Sequence, residues 1–319
     1  MSYFDKKTVL VTGGTGFVGT NFVKELSKFN TKIIVPIHKR GLIYNSDKIE
    51  TINADLNNID DCLKICENVD YIFHAAGMVS ASRMTVNNPM TAISTNLIVT
   101  LRVLEAAMKK NVKKILLFSS GTTGYPAYDH AVTEDEMFNE DPADIYYGYG
   151  WSRRYTEILG HFASQKSNLQ VAICRPTGVY GSYDDFDPST SHVIPALIKR
   201  AVDKENPYVV WGSGEEIRDF LHVRDLVHGC FLLLEKNSNS DPVNIGSGKE
   251  YRIKDIVKII LDLTESKMTK IEFDNTKPTT IPVRKVNIDK AKNLLGFEMK
   301  ISLEEGLKET IEWYKSNYR

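Results

Sequence analysis

The sequence has little that would draw it to a membrane or to nucleic acid. Its 319 residues carry a formal net charge of −1 at pH 7, so no general electrostatic attraction to polyanions is expected. No uninterrupted apolar run approaches the roughly 20 residues of a membrane span, and residues 1–7 lack the apolar core of a signal peptide. We see no internal repeat and no low-complexity tract. These absences predict a cytoplasmic globular protein with no nucleic-acid or membrane partner.

Cysteine is also scarce. The chain has four, Cys62, Cys66, Cys174 and Cys230. Cys62 and Cys66 are one helical turn apart, but no other Cys or His lies close in sequence to complete a tetrahedral site. This pattern predicts reduced thiols and no metal site. With 42% hydrophobic and 25% charged residues, the chain has room for one large domain or two smaller ones.

A glycine-rich turn near the start of the chain is the most informative feature that is present. A β-branched apolar run over residues 8–11 leads into Gly13, Gly16 and Gly19, and apolar residues at helical spacing follow. Gly13 would allow a tight turn, Gly16 would let the backbone approach a pyrophosphate, and Gly19 would let the helix lie close on the sheet. The phosphates would meet free N–H groups at the helix N-terminus. The alternative is a strand–helix turn with no ligand, but the position between strand and helix favours a dinucleotide.

Strands alternate with helices through the first 180 residues, which is typical of a parallel sheet covered on both faces. Ligands of such sheets bind outside the carboxyl ends of the strands, and a Ser/Thr/Gly cluster over residues 119–124 follows the fifth strand. The later segments indicate a smaller, mixed, substrate-binding part. The predicted strands after the first cover residues 31–37, 49–55, 71–77, 114–118 and 171–174, and the long helices residues 90–110 and 149–165.

The end of the second strand lacks an acidic residue. Many nicotinamide enzymes place Asp or Glu there to bind the ribose hydroxyls, whereas this chain continues with His38, Lys39 and Arg40. A basic triplet would suit a 2′-phosphate, so we expect NAD or NADP and favour NADP slightly. The alternative is a solvated charge run after a strand.

Tyr149 and Arg153 stand at i and i+4 of a predicted helix and therefore on one face. A cation there stabilises a phenolate, which is what a base that deprotonates a hydroxyl group needs. The alternative is an exposed aromatic–arginine contact. His74, alone in an apolar strand, is expected to be a packed core histidine.

Together these motifs resemble the extended short-chain dehydrogenase/reductase family, and within it the nucleotide-sugar epimerases, dehydratases and reductases. Residues 176–181 and 191–197 resemble the GDP-fucose synthases in sequence and spacing. Lys277 and Pro278, followed by residues 282–285, also resemble those enzymes. These similarities favour a GDP-linked hexose or heptose as the substrate. The resemblance covers nearly the whole chain, and its carriers are residues 12–19, Asp55, Ala75, Ala76, Asn96 and residues 149–157, 175–181, 218–220 and 244–246.

The resemblance implies an α/β fold of two parts. A Rossmann-type doubly wound parallel sheet, residues 1–180 plus about 222–247, would bind NAD(P), and a smaller mixed α/β domain, residues 181–221 and 248–319, would bind the nucleotide sugar. The implied cofactor-binding residues are Gly13, Gly16, Phe17, Val18, Gly19, His38, Arg40, Asp55, Leu56, Ala75, Ala76, Gly77, Asn96, Ser119, Tyr149 and Arg153. The implied substrate-binding residues are Gly178, Val179, His192, Val193, Trp211, Arg218 and Arg284, the two arginines holding the diphosphate.

The resemblance also implies the chemistry. Tyr149 would take the proton from a sugar hydroxyl, usually the 4-OH, while C4 gives hydride to the nicotinamide. Arg153 stands where the family has Lys, a change that keeps the charge but not its geometry. The family's Ser or Thr partner for the reacting oxygen falls on Gly121, and Gly178 replaces the usual Asn of its motif. The hydroxyl groups that could substitute at Gly121 belong to Ser120, Thr122 and Thr123.

Two further departures narrow the reaction. His192 matches an acid–base histidine of the fucose synthases, but Gly121 or Thr122 stands where those enzymes have their Cys. The Asp–Glu pair of the dehydratases is replaced by Thr122 and Thr123. By elimination we expect redox at C4 alone, as a 4-epimerase or a net 4-dehydrogenase or 4-ketoreductase.

The sequence also fits two other functions, and the family resemblance implies a homodimer. Arg153 and Gly121 would also suit a non-catalytic dinucleotide-binding regulator, and the same scaffold could reduce apolar carbonyl substrates. The family commonly dimerises by packing its two long helices into a four-helix bundle. We therefore predict a homodimer through the helices of residues 90–110 and 149–165.

Overall fold

The structure, a computed structural model, describes residues 2–78, 89–266, 269–277 and 279–318. Its strands are β1 (Thr8–Thr12), β2 (Lys32–Ile37), β3 (Ile49–Asn53), β4 (Tyr71–His74), β5 (Lys114–Phe118), β6 (Gln170–Pro176), β7 (Gly178–Tyr180), β8 (Tyr208–Trp211), β9 (Ile217–Arg218), β10 (Phe220–His222), β11 (Val243–Ile245), β12 (Tyr251–Arg252), β13 (Ile271–Asp274) and β14 (Val283–Arg284). Its α-helices are α1 (Phe17–Leu26), α2 (Ile59–Ile65), α3 (Pro89–Lys109), α4 (Tyr147–Lys166), α5 (Val193–Val202), α6 (Val223–Lys236), α7 (Ile253–Leu263) and α8 (Leu303–Tyr318).

The main sheet has seven strands in the order β11–β6–β5–β4–β1–β2–β3. Every neighbouring pair is parallel. The chain winds outward from β1 in one direction and then from β4 in the other, so the strand order reverses between β1 and β4, where doubly wound folds bind dinucleotides. The predicted Rossmann-type doubly wound sheet is confirmed.

The strand sequences explain why the sheet is covered on both faces. Phe73 and Leu116 belong to one buried cluster, whereas Ile72, Ile115 and Leu117 belong to another. Successive side chains of a strand point to opposite faces, so each strand fills both clusters. Helices α1 and α6 cover the first face, and α2, α3 and α4 contribute to the second.

A third buried cluster belongs to the smaller part of the molecule. Helices α5, α7 and α8 supply most of it, next to the small sheets β12–β9–β14 and β13–β8. Val286, Ile288 and Leu295, by contrast, pack into the cluster of the main sheet. The chain thus returns to the large sheet after β14, and the predicted domain bounds stay a prediction.

Helix α3 has the length and composition of a membrane-spanning helix over Met90–Lys109, with a mean hydropathy of 1.2. Its Val103, Leu104, Ala106 and Ala107 are buried in the second cluster of the main sheet. Burial of one face against a sheet is the ordinary reason for such apolarity in a globular fold.

Candidate active site

The glycine-rich turn after β1 is formed by close backbone contacts. Gly13 has φ +70°, and a Cβ there would lie 2.6 Å from the Ala76 nitrogen, while a Cβ on Gly19 would lie 2.0 Å from the Gly13 carbonyl oxygen. Gly16 precedes α1 without a side-chain capping bond, and the first turn of α1 has no acidic residue. The N–H groups at this helix end are therefore available to a pyrophosphate.

Most of the other predicted cofactor residues come together at one edge of the main sheet. They follow the carboxyl ends of β1 to β5, which are neighbours in the sheet, on the side where parallel sheets bind ligands. Their individual contacts with a cofactor stay predictions. These residues are Phe17, Val18, His38, Arg40, Asp55, Leu56, Ala75, Ala76, Gly77 and Ser119.

The basic residues after β2 are accessible to a ligand. His38, Lys39 and Arg40 are all exposed. The pKa of Asp55 is lowered by hydrogen bonds from Asn57 and, to a smaller extent, by the charges of His38 and Lys39. The triplet thus lies close to the end of β3, and its preference for a 2′-phosphate stays a prediction.

Asn96 on α3 holds the loop that follows β4. The Met78 N–H donates to Asn96 Oδ1 at 2.7 Å, and Asn96 Nδ2 donates to the Met78 carbonyl at 2.9 Å. Asn96 is buried and both polar atoms of its amide are engaged, so it positions the backbone at the end of β4. A direct contact between Asn96 and the cofactor stays a prediction.

His74 is a packed histidine, as its apolar strand predicts. Its Nδ1 lies 2.8 Å from Thr12 Oγ1 and its Nε2 lies 3.2 Å from Thr100 Oγ1. Burial, with a smaller effect of the Arg153 charge, lowers the pKa of His74 to about 4. The neutral ring therefore links β1, β4 and α3.

Tyr149 and Arg153 make the contact that their spacing on α4 predicts. Arg153 Nε donates to the Tyr149 hydroxyl at 3.0 Å, Arg153 Nη2 also donates to it, and the guanidinium carbon lies 4.8 Å from the ring centroid. The hydroxyl donates to the Met78 carbonyl at 3.4 Å. Two N–H groups of a cation thus stabilise negative charge on the phenol oxygen, which suits this oxygen to proton transfer.

Ser120 is the centre of a cluster of three hydroxyl groups after β5. Its Oγ accepts hydrogen bonds from the Thr123 N–H at 3.0 Å and the Thr123 hydroxyl at 2.8 Å, and from the Thr122 N–H at 3.3 Å. Thr122 Oγ1 lies 3.3 Å from the same oxygen. The three hydroxyl groups predicted to substitute for the missing Ser or Thr therefore lie together.

This loop is attached to α4 around Tyr149. Ser119 Oγ donates to the Arg153 carbonyl at 3.3 Å. Gly150 packs so closely on the loop that a Cβ there would lie 2.4 Å from the Thr123 carbonyl oxygen. The hydroxyl cluster and the Tyr149–Arg153 pair thus belong to one site.

Gly121 is too tightly packed to carry the hydroxyl side chain that the resemblance expects. Its N–H donates to the Pro176 carbonyl at 2.9 Å. A Cβ there would lie 2.8 Å from the carbonyl oxygens of both Arg175 and Pro176. A partner for the reacting oxygen from this loop must then come from another residue.

Arg218 and Arg284 occupy paired positions on the parallel strands β9 and β14. Burial lowers the pKa of Arg218 to about 10 and that of Arg284 to about 9. Arg218 donates to the neutral carbonyl oxygens of Ile217 and Pro282, whereas Nε and Nη2 of Arg284 are buried without a hydrogen-bond partner. The paired strand positions place the two residues side by side, and the unpartnered nitrogens of Arg284 suit the site to an anion with several oxygens.

The other predicted substrate residues lie on three elements of the smaller part. Gly178 is packed on Phe220, whose ring would lie 2.9 Å from a Cβ at that position. Contacts with a substrate stay predictions here, and Pro278 lies outside the described residues. The residues are Gly178 and Val179 in β7, Trp211 at the end of β8, and His192 and Val193 at the start of α5.

A buried polar network that the sequence analysis missed fixes α4 on the sheet. Arg175 donates to both carboxylate oxygens of Glu157, at 2.8 and 2.7 Å, and to the Tyr125 hydroxyl at 2.8 Å. That hydroxyl donates to Asn244 Oδ1 at 2.8 Å. Arg175 is 1% exposed and Glu157 5%. The only signal in the sequence is a charged residue in an apolar strand and another on the same helix as Tyr149.

Comparisons with known proteins agree with this geometry. Residues 9–246 match the NAD dependent epimerase/dehydratase family. The chain is 30% identical over 321 residues to the putative GDP-L-fucose synthase 2 of Arabidopsis thaliana, with 97% of this chain and 92% of that protein covered.

Two solved structures are similar over nearly the whole chain. The UDP-glucose 4-epimerase of Thermotoga maritima has a TM-score of 0.88 at 26% identity, with 98% of this chain and 100% of that chain covered. MoeE5, in complex with UDP-glucuronic acid and NAD, has a TM-score of 0.84 at 25% identity, with 97% and 99% covered.

The doubly wound sheet, the glycine-rich turn and the Tyr149–Arg153 pair define a dinucleotide-dependent enzyme of the short-chain dehydrogenase/reductase class. The chain belongs to the NAD-dependent epimerase/dehydratase family, whose members are extended short-chain dehydrogenases/reductases. The predicted family is thereby confirmed.

The residues around the turn fit an NAD(P) cofactor. The close approach of Gly13 and Gly19 leaves the N-terminus of α1 open to a pyrophosphate. The predicted dependence on NAD(P) is confirmed by the family, while the choice between NAD and NADP stays a prediction.

Proposed function

We propose that this enzyme interconverts a hydroxyl and a keto group at C4 of a nucleotide-diphosphate sugar, as a 4-epimerase or a net 4-dehydrogenase or 4-ketoreductase. The observation that supports the proposal is that the Tyr149 hydroxyl accepts hydrogen bonds from Nε and Nη2 of Arg153. It lies on the helix to which the Ser120 hydroxyl cluster is attached. An acid–base group beside neutral hydroxyl donors is what alcohol–ketone interconversion requires.

In the proposed reaction, Tyr149 removes the proton of the sugar 4-OH. Arg153 stabilises the phenolate form of Tyr149 that accepts this proton, and Tyr149 is a neutral phenol once the proton has been transferred. A hydroxyl of the Ser120 cluster orients the reacting oxygen. A bound nicotinamide supplies the hydride acceptor or donor. In the opposite direction Tyr149 returns the proton to the oxygen at C4.

The paired arginines support a nucleotide-diphosphate sugar over an apolar carbonyl substrate. Arg218 and Arg284 are half-buried, and Nε and Nη2 of Arg284 are buried without a hydrogen-bond partner. Burying the polar atoms of a cation without a partner is costly, and an apolar substrate would leave that cost unrelieved. A diphosphate would supply both the charge and the acceptor oxygens.

The loop after β5 supports redox at C4 without a second acid–base step. Gly121, Thr122 and Thr123 offer no thiol or carboxylate beside Tyr149, and hydroxyl groups bonded to Ser120 are poor general acids and bases near neutral pH. For the base we propose guanine, because residues 176–181 and 191–197 resemble the GDP-fucose synthases, and the Arabidopsis relative named for such an enzyme shares 30% of its sequence over 97% of this chain.

The experiment is to follow the reduced-nicotinamide absorption band of the purified enzyme while GDP-, UDP-, CDP- and dTDP-sugars are added in turn. We expect a change with GDP-sugars. A steady change with added NAD or NADP indicates net redox, and product without a lasting change indicates an epimerase. A response to a UDP-sugar alone would overturn the guanine preference. No response from a dinucleotide-loaded protein would favour the non-catalytic regulator, and release of water to give a 4-keto-6-deoxy sugar would contradict redox at C4 alone.

We also propose that the enzyme is a homodimer through α3 and α4, which pack side by side. Both helices carry large apolar side chains that are exposed to solvent, with Phe162 55% exposed. Exposed apolar patches often mark protein–protein interfaces. Light scattering should give twice the chain mass, and Phe162→Glu should shift it to the monomer. A monomeric wild-type protein would contradict the dimer. The exposed residues are Ile98, Leu101, Tyr155, Ile158 and Phe162.

A further inference from the structure

The guanidinium of Arg284 has an aromatic neighbour that lies outside the family motifs. Its central carbon lies 4.1 Å from the ring centroid of Tyr146. Tyr146 ends a short 3-10 turn, Asp144–Tyr146, and immediately precedes α4, which carries Tyr149. The ring therefore connects the arginine of β14 to the helix of the acid–base residue.

This contact is the main stabilising interaction that the structure gives the Arg284 charge. Burial lowers the pKa of Arg284 to about 9, and Nε and Nη2 are buried without a hydrogen-bond partner. A guanidinium at this distance from an aromatic ring gains attraction from the ring's negative face. Tyr146 thus partly offsets the cost of burying the charge.

The geometry also restricts how an anion can approach. An aromatic ring over one face of a planar guanidinium leaves its N–H groups pointing outward in the plane. The unpartnered Nε and Nη2 are the pair that binds two oxygens of one phosphate or carboxylate side by side. Arg284 borders a narrow cavity together with Gly121, Thr122 and His130, so its side chain lies near the hydroxyl cluster.

We propose that Tyr146 is a positioning residue that holds Arg284 edge-on to an anionic group of the substrate. This inference rests on the proposed nucleotide-sugar function. Tyr146 touches Arg284 and is proposed to act through it, making no proton transfer of its own. The anionic group is either the terminal phosphate of the nucleoside diphosphate or a carboxylate on the sugar, because both present two oxygens in one plane.

The test compares Tyr146→Leu with Tyr146→Phe, which keeps the ring. We expect Tyr146→Leu to raise KM for the nucleotide sugar about tenfold, with kcat and the affinity for NADPH nearly unchanged. Tyr146→Phe should behave like the wild type. In an Arg284→Gln background, Tyr146→Leu should have no further effect. Equal losses in the Leu and Phe variants, or additive losses with Arg284→Gln, would overturn the proposal.

Binding of nucleotides identifies the anionic group. If Arg284 holds the terminal phosphate, Tyr146→Leu weakens binding of GDP, or of UDP if that is the base bound, but not of the corresponding monophosphate. If it holds a sugar carboxylate, the variant weakens only a nucleotide sugar that bears one. A Tyr146→Leu protein that binds all of these as the wild type does would disprove the positioning role. A wild-type protein that binds NADPH but no nucleoside diphosphate would instead disprove the proposed function.

Discussion

The cofactor side of the candidate site, at the carboxyl ends of β1 to β5, and the substrate side, around Arg218 and Arg284, differ in how fully their buried polar atoms are hydrogen-bonded within the protein. On the cofactor side, His74 is hydrogen-bonded at both ring nitrogens and Asn96 at both amide atoms. On the substrate side, Arg284 Nε and Nη2 are buried without a hydrogen-bond partner. Within the described residues, the other buried side-chain atoms without one are Asp184 Oδ2, Ser191 Oγ and His222 Nε2, none of which belongs to a predicted site residue.

The difference shows two ways of preparing a ligand site. The glycine-rich turn is shaped by backbone contacts that leave no room for a side chain at Gly13 or Gly19, so its form is complete before any ligand arrives. A buried polar atom without a partner costs roughly 1–3 kcal/mol, a cost that a protein retains where a ligand later supplies the partner. The substrate side therefore gives up stability for binding, whereas the cofactor side does not.

The largest effect is expected at Tyr149, where the two sides meet. Tyr149→Phe removes the hydroxyl that accepts two N–H groups from Arg153, and general acid–base catalysis contributes roughly 10²–10⁴-fold. We expect kcat on the responding nucleotide sugar to fall by about 10³-fold, whereas the affinity for the dinucleotide should fall far less because the glycine-rich turn is untouched. Single-turnover absorbance and fluorescence titration of NADPH measure the two effects. Retained turnover would remove Tyr149 from the proton-transfer step.

The next prediction sets a partnered charge against an unpartnered one. Glu157→Gln leaves Arg175, 1% exposed, without its charge partner, and breaking a buried ion pair costs roughly 3–5 kcal/mol. Arg284→Met instead removes a half-buried cation whose Nε and Nη2 are buried without a hydrogen-bond partner, so we expect stability to rise by about 1 kcal/mol or more. Urea unfolding of both variants beside the wild type tests this contrast.

Substrate affinity of the Arg284→Met variant is the second test of the same contrast. Arg284→Met should raise KM for the nucleotide sugar by about 10²-fold, since two charge-assisted hydrogen bonds are lost. A variant that gains stability while losing substrate affinity would show that the substrate side is held in a costly form for its ligand. If Arg284→Met unfolded as readily as Glu157→Gln, the contrast between the two sides would fail.

The sequence predicts the cofactor side better than the substrate side for a physical reason. Gly13, Gly16 and Gly19 act through local backbone geometry, which spacing alone reveals, and Tyr149 and Arg153 meet because they are four positions apart on one helix. These contacts are local, so the sequence shows them.

The contacts that were missed join distant segments. The residues Arg175 and Glu157 pair across 18 positions, and Tyr125 reaches Asn244 across 119. Only the family resemblance places Arg218 and Arg284 at one diphosphate, because the pairing of the two-residue strands β9 and β14 that makes them neighbours leaves no periodicity in the sequence. Tyr146 likewise becomes informative only when Arg284 is found over its ring.

Acid stability gives a smaller test on the cofactor side. Burial lowers the pKa of His74 to about 4, whereas an unfolded chain protonates histidine near pH 6.5. Below about pH 6.5 the unfolded chain therefore binds the additional proton, and the free energy of unfolding falls as the pH decreases toward 4. His74→Asn should flatten this slope, by up to about 1.4 kcal/mol per pH unit, while the two proteins run parallel above pH 7. Identical slopes below pH 6.5 would show that His74 does not carry the acid sensitivity.

The smallest effect is expected where the cofactor side is open to solvent. Arg40 is exposed just beyond β2, and water and salt weaken an exposed charge pair. If Arg40 contacts a 2′-phosphate, Arg40→Ala should weaken NADPH binding about tenfold, or about 1.4 kcal/mol, leave NADH binding unchanged, and lose its effect at high salt. Lys32→Ala, at the amino end of β2 where Lys32 pairs with Glu50, is the matched control. Equal affinity of the wild type for NADH and NADPH would mean that the basic triplet is only a solvated surface. Residues outside the glycine-rich turn and the triplet would then determine which dinucleotide binds.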